Sequence, residues 1–168
     1  MNNNNSPKIT LFLSSLGQGG AQRTMVNLAT GFYHKGYSTD VVYLLDKMSY
    51  ENDLPNGIRK INFDSDRALF SIPELSEYLS KNNPSVILST QEHINIASIA
   101  AEYFSNSNTR VIVRTTSIPS IKGEKNIKRK VSAIISKILY KHSDHVVALS
   151  RASMRDAMKY YSINRGHI

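Results

Sequence analysis

The chain has 168 residues, of which 40% are hydrophobic and 20% charged, with a formal net charge of +8 and a pI near 9.7. This length and composition are typical of one folded domain with a buried core, and they exclude a long disordered chain. The absence of cysteine excludes disulfides and thiolate metal sites.

Apolar runs and helical patterns alternate along the chain, as expected for a parallel sheet with helices on both faces. Residues 1–7 are expected to form a disordered tail, and residues 8–163 a Rossmann-like α/β domain with a doubly wound, mainly parallel sheet of about six strands. The predicted strands are residues 9–14, 39–45, 58–62, 85–89, 110–114 and 145–149. The predicted helices are residues 20–35, 71–81, 94–104, 127–142 and 151–161.

Three helix ends carry local signals. Gly36 suits a left-handed cap at the end of the first helix. Ser71 and Glu74 have the spacing of a capping box at the start of the second helix. Ser150 is placed to cap the start of the last helix.

The first strand leads through Gly17, Gly19 and Gly20 directly into the first helix. Glycines let the backbone turn tightly, and the unpaired N–H groups of a helix start attract anions. The loop therefore indicates a phosphorylated ligand. The dinucleotide pattern G-x-G-x-x-G fits Gly17 and Gly19 but has Gln22 at its sixth position. A tight turn that binds nothing is the alternative.

Residues 15–41 resemble the opening of the family-four retaining glycosyltransferases, which have the GT-B fold. The loop Gly17-Gln18-Gly19-Gly20-Ala21-Gln22-Arg23, a helix with Leu28-Ala29 near its middle and the turn Gly36-Tyr37 carry the resemblance. Residues 85–90 with Asn95, and residues 146–150, are similar to the fourth and sixth strands of the family.

The resemblance implies the first, acceptor-side half of an enzyme that uses a nucleotide-diphosphate sugar, UDP-linked, and no further cofactor. The acceptor would be a glycan or a lipid-linked molecule in bacterial-type surface polysaccharide or glycoconjugate synthesis. Residues 164–168 would begin the connection to a second domain, which in the family carries paired glutamates and most donor contacts. This chain alone is therefore expected to be inactive. Gly17, Gly19 and Gly20 would face the donor diphosphate.

Residues that follow the strands are candidates for acceptor or sugar contacts, because doubly wound sheets bind ligands outside the carboxyl ends of their strands. Gln22 and Arg23 follow the first strand, although Arg23 also fits a solvated surface charge. His93 fits a general base, a contact to a sugar hydroxyl or, with Glu92, a cap on the third helix, and the cap is favoured over catalysis. The candidate residues are Gln22, Arg23, His93, Asn95, Arg114 and Thr116.

The end of the fifth strand departs from the family pattern. Many members have a histidine there, near the donor sugar, whereas this chain has Arg114 and Thr116. Asp64-Ser65-Asp66 resembles the D-x-D metal motif of the other glycosyltransferase fold. Because aspartates are also common in turns and no further ligands lie nearby in sequence, the turn is favoured and no metal is assigned.

The most amphipathic pattern spans residues 127–142. Seven of the 21 lysines and arginines fall between Lys122 and Lys141. Either the apolar stripe covers the sheet and the basic residues are solvated, or the basic face meets anionic lipid. The stripe consists of Ile127, Val131, Ile134, Ile135, Ile138 and Leu139. The membrane-surface candidates are Lys122, Lys125, Lys128, Arg129 and Lys130.

Two other classes of function stay open at this stage. A stand-alone Rossmann-like domain could bind a dinucleotide or another phosphorylated small molecule. A basic nucleic-acid-binding module fits the net charge, but the chain has no aromatic-basic RNA signature or recognition-helix motif, so nucleic acid is not an expected partner. Without a secretion signal or an apolar run of about 20 residues, the expected location is the cytoplasm or the cytoplasmic face of a membrane.

Overall fold

The structure is a computed structural model that describes residues 6–47, 49–116 and 127–168, without the side chains of residues 127–130 and 132. Strands and helices alternate along the described chain. The strands are β1 Lys8–Ser15, β2 Ser38–Leu45, β3 Arg59–Asn62, β4 Val86–Thr90, β5 Arg110–Arg114 and β6 His145–Val147. The α-helices are α1 Gly20–His34, α2 Ile72–Asn82, α3 Glu92–Phe104, α4 Ile127–Leu139 and α5 Arg151–Tyr161.

The strands form one parallel sheet in the order β3-β2-β1-β4-β5-β6. The central strand β1 pairs with β2 on one side and β4 on the other, so Leu11 lies beside both Val41 and Leu88. Strands of a parallel sheet are apolar on both faces because helices cover both. The order confirms the predicted doubly wound, Rossmann-like fold. Strand order reverses between β1 and β4, which places a crevice at their carboxyl ends.

Two apolar clusters lie on opposite faces of the sheet, because successive side chains of a strand point to opposite sides. Leu11 and Leu13 of β1 belong to the cluster under α1, together with Met25 and Val26. Phe12 belongs to the other cluster, which is built on α2, α3 and α5. The buried residues of α3 surround most of its circumference, so this helix is largely enclosed in the core.

The helix ends test the three local signals. Gly36 has a φ of +84° and donates its N–H to the carbonyl of Tyr33, as predicted for a left-handed cap. The Ser150 hydroxyl accepts the N–H of Ser153, which confirms the last cap. The prediction of a capping box at Ser71 is wrong. Residues 68–71 form a 3₁₀ turn, so the Ser71 backbone is already helical and its hydroxyl donates to the carbonyl of Ala68 instead.

Helix α4 is oriented differently from what its apolar stripe suggests. Four stripe side chains, those of Val131, Ile134, Ile135 and Ile138, are between 41% and 59% exposed, whereas Leu139 at the end of the helix is partly buried against the core. The buried positions are the small residues Ala133 and Ser136, which lie on the side where α4 packs against α3 and α5. Small side chains allow two helices to approach closely. The interpretation in which the stripe covers the sheet is therefore wrong.

Candidate functional site

The glycine loop lies at the carboxyl end of β1, beside the point where strand order reverses. Gly19 precedes the first residue of α1 and has a φ of +151°, a backbone conformation that favours glycine. Its carbonyl accepts the first helical hydrogen bond, from the N–H of Arg23 at 2.9 Å. Among the described residues, no side chain caps the helix start. The first N–H groups of α1 are thus available to an anion.

The other two loop glycines have different surroundings. A Cβ at Gly17 would lie 3.0 Å from the Cβ of Lys47 and 3.2 Å from the Ser15 hydroxyl, so a side chain there would crowd the loop. A Cβ at Gly20 would meet nothing within 4 Å. Space for a ligand therefore lies in front of Gly20, at the first position of α1.

Gln22 and Arg23 point to different places. The Gln22 amide donates to the Ser14 hydroxyl at 3.4 Å, which keeps it beside the loop. The Arg23 guanidinium pairs with Asp53, and its central carbon lies 5.2 Å from the centre of the Tyr50 ring. Arg23 is thereby held on the surface between α1 and residues 50–53. This position fits the interpretation of Arg23 as a surface charge better than its interpretation as a ligand contact.

A cavity of about 290 Å³ opens at the same edge of the sheet. Leu44 and Leu45 at the end of β2 form part of its apolar wall, and His93 at the start of α3 contributes a polar group. Its other lining residues are Ser14, Asp66, Arg67, Ala68 and Leu69. The sequence indicated a turn or a metal ligand for Asp66 and gave no signal for Arg67, because residues 63–67 belong to no regular element. Among the residues that the structure describes, no three metal-binding side chains come together.

Gln91, between β4 and α3, is the most unusual backbone position near the crevice. Its φ of +76° is uncommon for a residue with a side chain. Its Oε1 atom is buried and has no hydrogen-bond partner within the described ranges. Strained backbone and unsatisfied polar atoms concentrate at functional sites. No sequence signal identified this residue, because a glutamine after a strand is ordinary.

Asn95 does not reach the crevice. It is fully buried, and its Oδ1 accepts the Ser89 hydroxyl at 2.8 Å. Its amide nitrogen donates to the Arg114 carbonyl at 3.0 Å and to the Tyr140 hydroxyl at 2.8 Å. Burial raises the pKa of Tyr140 to about 12. Asn95 therefore ties β4, β5 and the end of α4 together instead of facing a ligand.

Arg114, the last residue of β5, is 9% exposed. Its guanidinium donates to the Thr90 hydroxyl at 3.1 Å, and burial lowers its pKa. Among the described residues no carboxylate lies within 4.0 Å of it. Thr116, two residues further on, is half-buried. The structure thus brings Arg114 to the carboxyl edge of the sheet but gives it no partner of opposite charge in these ranges.

The structure describes only some of the five basic residues that are candidates for contact with a membrane surface. Lys122 and Lys125 lie outside the described residues. Lys128, Arg129 and Lys130 lie in the first turn and a half of α4, where only the backbone is described. Within the described ranges, none of the helices is both long and apolar enough to cross a bilayer.

A doubly wound parallel sheet with a glycine-rich helix start at its switch point defines a Rossmann-like domain that matches the N-terminal half of GT-B glycosyltransferases. The sequence model of Glycosyltransferase Family 4 matches residues 18–168, and the chain belongs to this family. No curated protein matches the sequence.

Three solved structures show the likeness of fold. HepE of Anabaena, solved with UDP, has a TM-score of 0.70 at 14% identity over 91% of this chain and 40% of its own. The lipopolysaccharide outer core galactosyltransferase WaaB has a TM-score of 0.69 at 13% identity, over 91% of this chain and 42% of its own. LpCGTa, also solved with UDP, has a TM-score of 0.62 at 15% identity, over 92% and 49%. The chain thus spans less than half the length of these proteins.

Proposed function

We propose that the chain is the acceptor-side domain of a retaining glycosyltransferase with a UDP-linked donor. Its acceptor is a glycan or a lipid-linked molecule in bacterial-type surface polysaccharide or glycoconjugate synthesis. The start of α1 carries this proposal, because it combines a left-handed Gly19, open space at Gly20 and uncapped N–H groups at the switch point. Such N–H groups stabilise a diphosphate. The UDP complexes of HepE and LpCGTa support UDP as the donor's nucleotide.

The proposed reaction needs a second domain. Transfer requires stabilisation of the departing diphosphate by groups placed around it, and the glycine loop approaches from one side only. HepE is about two and a half times the length matched here, since its matched part is 40% of its chain. We expect the 168 residues alone to bind UDP weakly and to transfer no sugar. Turnover of a UDP-sugar by this chain with a lipid-phosphate acceptor would contradict the two-domain proposal.

The acceptor would enter the cavity beside the loop. Leu44, Leu45 and Leu69 give it apolar walls, while Asp66 and Arg67 place two charges of opposite sign at its rim. His93 lies in the same wall. Ligand sites of this mixed kind bind the body of a ligand through apolar contact and orient it through a few polar groups. A sugar ring, with apolar faces and hydroxyl edges, fits this description.

Amide chemical shifts of the labelled chain test the glycine loop directly. UDP should shift the amides of Gly17, Gly19 and Gly20 and leave Gly36, at the far end of α1, unchanged. Gly20→Val fills the open space before the helix and should abolish the response while the spectrum stays dispersed. Gly31→Val is the matched control, because a Cβ at this helical glycine also meets nothing within 4 Å.

Two outcomes would overturn the assignment of the loop. If the shifts spread evenly over the protein, or if Gly20→Val responds like the unchanged chain, the loop is a turn without a ligand. A markedly stronger response to a nicotinamide dinucleotide than to UDP would favour the stand-alone dinucleotide domain. Tight binding of a DNA or RNA duplex, measured in parallel, would favour the nucleic-acid module.

We further propose that α4 binds the cytoplasmic face of an anionic membrane. Its exposed stripe at Val131, Ile134, Ile135 and Ile138 accompanies a strongly basic sequence at residues 122–141. Interfacial helices combine an apolar face with Lys and Arg in this manner. Burying side chains that are about half exposed stabilises binding by roughly 1 kcal/mol each. Each basic residue near anionic lipid adds about 1 kcal/mol, so the two contributions are comparable.

Vesicle sedimentation separates the two contributions. The chain should bind vesicles that contain phosphatidylserine and should bind neutral phosphatidylcholine vesicles poorly. Replacing Ile134 and Ile138 with Gln should weaken binding at both low and high salt, because apolar insertion is not screened. Phe70→Gln, on another exposed apolar side chain, is the control.

The basic candidates need a separate variant. Changing Lys122, Lys125, Lys128, Arg129 and Lys130 to Gln should abolish the salt-sensitive part of binding. If the Ile134 and Ile138 variant binds as well as the unchanged chain, the stripe does not enter the membrane. In that case contact with another protein domain would be the better explanation of its exposure.

A further inference from the structure

Arg114 differs in burial and in partners from Arg23 and Arg59, the two arginines whose ion pairs the structure describes. Arg23 pairs with Asp53 and Arg59 with Asp40, and both guanidinium groups lie near solvent. Arg114 is the more buried residue and has only the Thr90 hydroxyl as a hydrogen-bond partner within the described ranges. Burying a charge is unfavourable unless a counter-ion accompanies it, and burial lowers the pKa of Arg114. Within the described ranges, no carboxylate lies close enough to offset this cost.

The strand beside Arg114 leads to one polar atom that has no hydrogen-bond partner among the described residues. Register places Arg114 opposite Thr90 on β4. Gln91 follows Thr90 directly, with its left-handed backbone and its unpartnered Oε1 atom. The buried cation thus ends β5, and the strained glutamine comes one residue after the end of the neighbouring strand β4. The guanidinium can donate hydrogen bonds to an anion, whereas the Gln91 Oε1 atom can only accept one, from a protonated group such as a hydroxyl of the same ligand.

We infer that Arg114 binds an anionic group of the acceptor, of the phosphomonoester or phosphodiester class, separate from the donor diphosphate. The inference rests on the proposed function and adds the chemical class of the acceptor. The glycine loop follows β1, whereas Arg114 ends β5, two strands away in the order β1-β4-β5. Adjacent strands lie about 4.8 Å apart, so about 10 Å separates the two strand ends. A planar guanidinium fork matches phosphate oxygens in a bidentate manner.

A structural role and a binding role make opposite predictions for stability. If Arg114 is part of the scaffold, its removal should lower the melting temperature. If it is held ready for a ligand, Arg114→Met should leave the melting temperature unchanged or raise it, because an apolar side chain of similar length suits the buried position better. Arg110→Met, at the exposed opposite end of β5, is the matched control.

Titration of the labelled chain with inorganic phosphate at constant ionic strength provides the binding readout. Phosphate should shift the Arg114 side-chain Nε–H and the Gln91 amide with a saturable curve. In Arg114→Met the apparent Kd for phosphate should rise about tenfold or more, which is the usual effect of losing one charge-assisted hydrogen bond. Arg114→Lys, which keeps the charge and loses the fork, should bind with intermediate affinity. Arg110→Met should bind like the unchanged chain.

A second titration, with UDP already bound, decides which substrate the anion belongs to. An unchanged phosphate response supports a separate acceptor site. Loss of that response would assign Arg114 to the donor diphosphate and overturn the inference. Absence of any shift at Arg114, or a clear loss of stability in Arg114→Met, would also overturn it. Failure of the glycine-loop response to UDP, with the phosphate response intact, would count against the proposed function and not against the anion site.

Discussion

Replacing Asn95 with Ala should destabilise the domain strongly although the residue contacts no ligand. Its side chain makes three hydrogen bonds, to Ser89, the Arg114 carbonyl and Tyr140, and all are buried. Each buried hydrogen bond contributes about 1 kcal/mol, and each partner left unsatisfied costs a further 1–3 kcal/mol. Some partners will relax or bind water, so the expected loss is about 3–5 kcal/mol. This is a large share of the roughly 5–15 kcal/mol that stabilises an ordinary domain.

Urea denaturation followed by circular dichroism measures this loss. With a slope of about 2 kcal/mol per molar urea, the midpoint should fall by roughly 1.5–2.5 M. Tyr140→Phe removes one partner's hydroxyl only and should cost about 1–2 kcal/mol. Because the two residues share a hydrogen bond, the double variant should lose less than the sum of the single ones. Asn106→Ala, at an exposed position, is the control.

A midpoint shift below about 0.5 M for Asn95→Ala would refute this reasoning. It would mean that the hydrogen bonds of Asn95 are exchanged for equally good ones, and that the residue is free to serve a ligand after all. Additive effects of Asn95→Ala and Tyr140→Phe would refute the direct bond between the two side chains.

Three further predictions concern stability. Gly31→Ala, in open space on α1, should raise stability by about 0.5–1 kcal/mol, whereas Gly36→Ala, at a φ of +84°, should lower it by about 1–2 kcal/mol in thermal melts. Ala133→Leu should cost about 1–3 kcal/mol by overpacking, whereas Ile134→Gln on the exposed side should change stability by no more than about 0.5 kcal/mol. Burial raises the pKa of Tyr78, Tyr140 and Tyr161. These phenols hold their protons more tightly in the folded chain, so stability should be full below pH 10 and decline as the pH rises towards 12. Phenolate absorbance from these three should develop only with unfolding, and its appearance while circular dichroism is still native would contradict their burial.

The sheet could be predicted well because each strand of a parallel sheet is an apolar run between turn signals. β5 agrees with its predicted bounds, while β6 ends at Val147 instead of residue 149. The helix ends that depend on one residue's own chemistry, Gly36 and Ser150, were also predictable. The error at Ser71 arose because a preceding 3₁₀ turn changes the backbone that a capping serine needs.

The orientation of α4 could not be predicted because periodicity reveals an apolar face without saying what covers it. The buried side of α4 is formed by Ala133 and Ser136, and neither side chain is strongly apolar. The same limit applies at the candidate site. The location of the glycine loop follows from local sequence, whereas the pairing of Arg23 with Asp53 joins residues 30 positions apart. The burial of Asn95 depends likewise on Tyr140, a residue 45 positions away.

The central position of β1 has a consequence for synthesis on the ribosome. β1 is made well before its neighbour β4, which ends at Thr90, about 75 residues later. At a translation rate of 5–20 residues per second, one edge of β1 stays unpaired for roughly 4–15 s after the strand emerges. An unpaired apolar edge can add strands from other chains. The yield of native protein in a cell should therefore depend on how fast residues 46–90 are translated and on chaperones that cover this edge meanwhile.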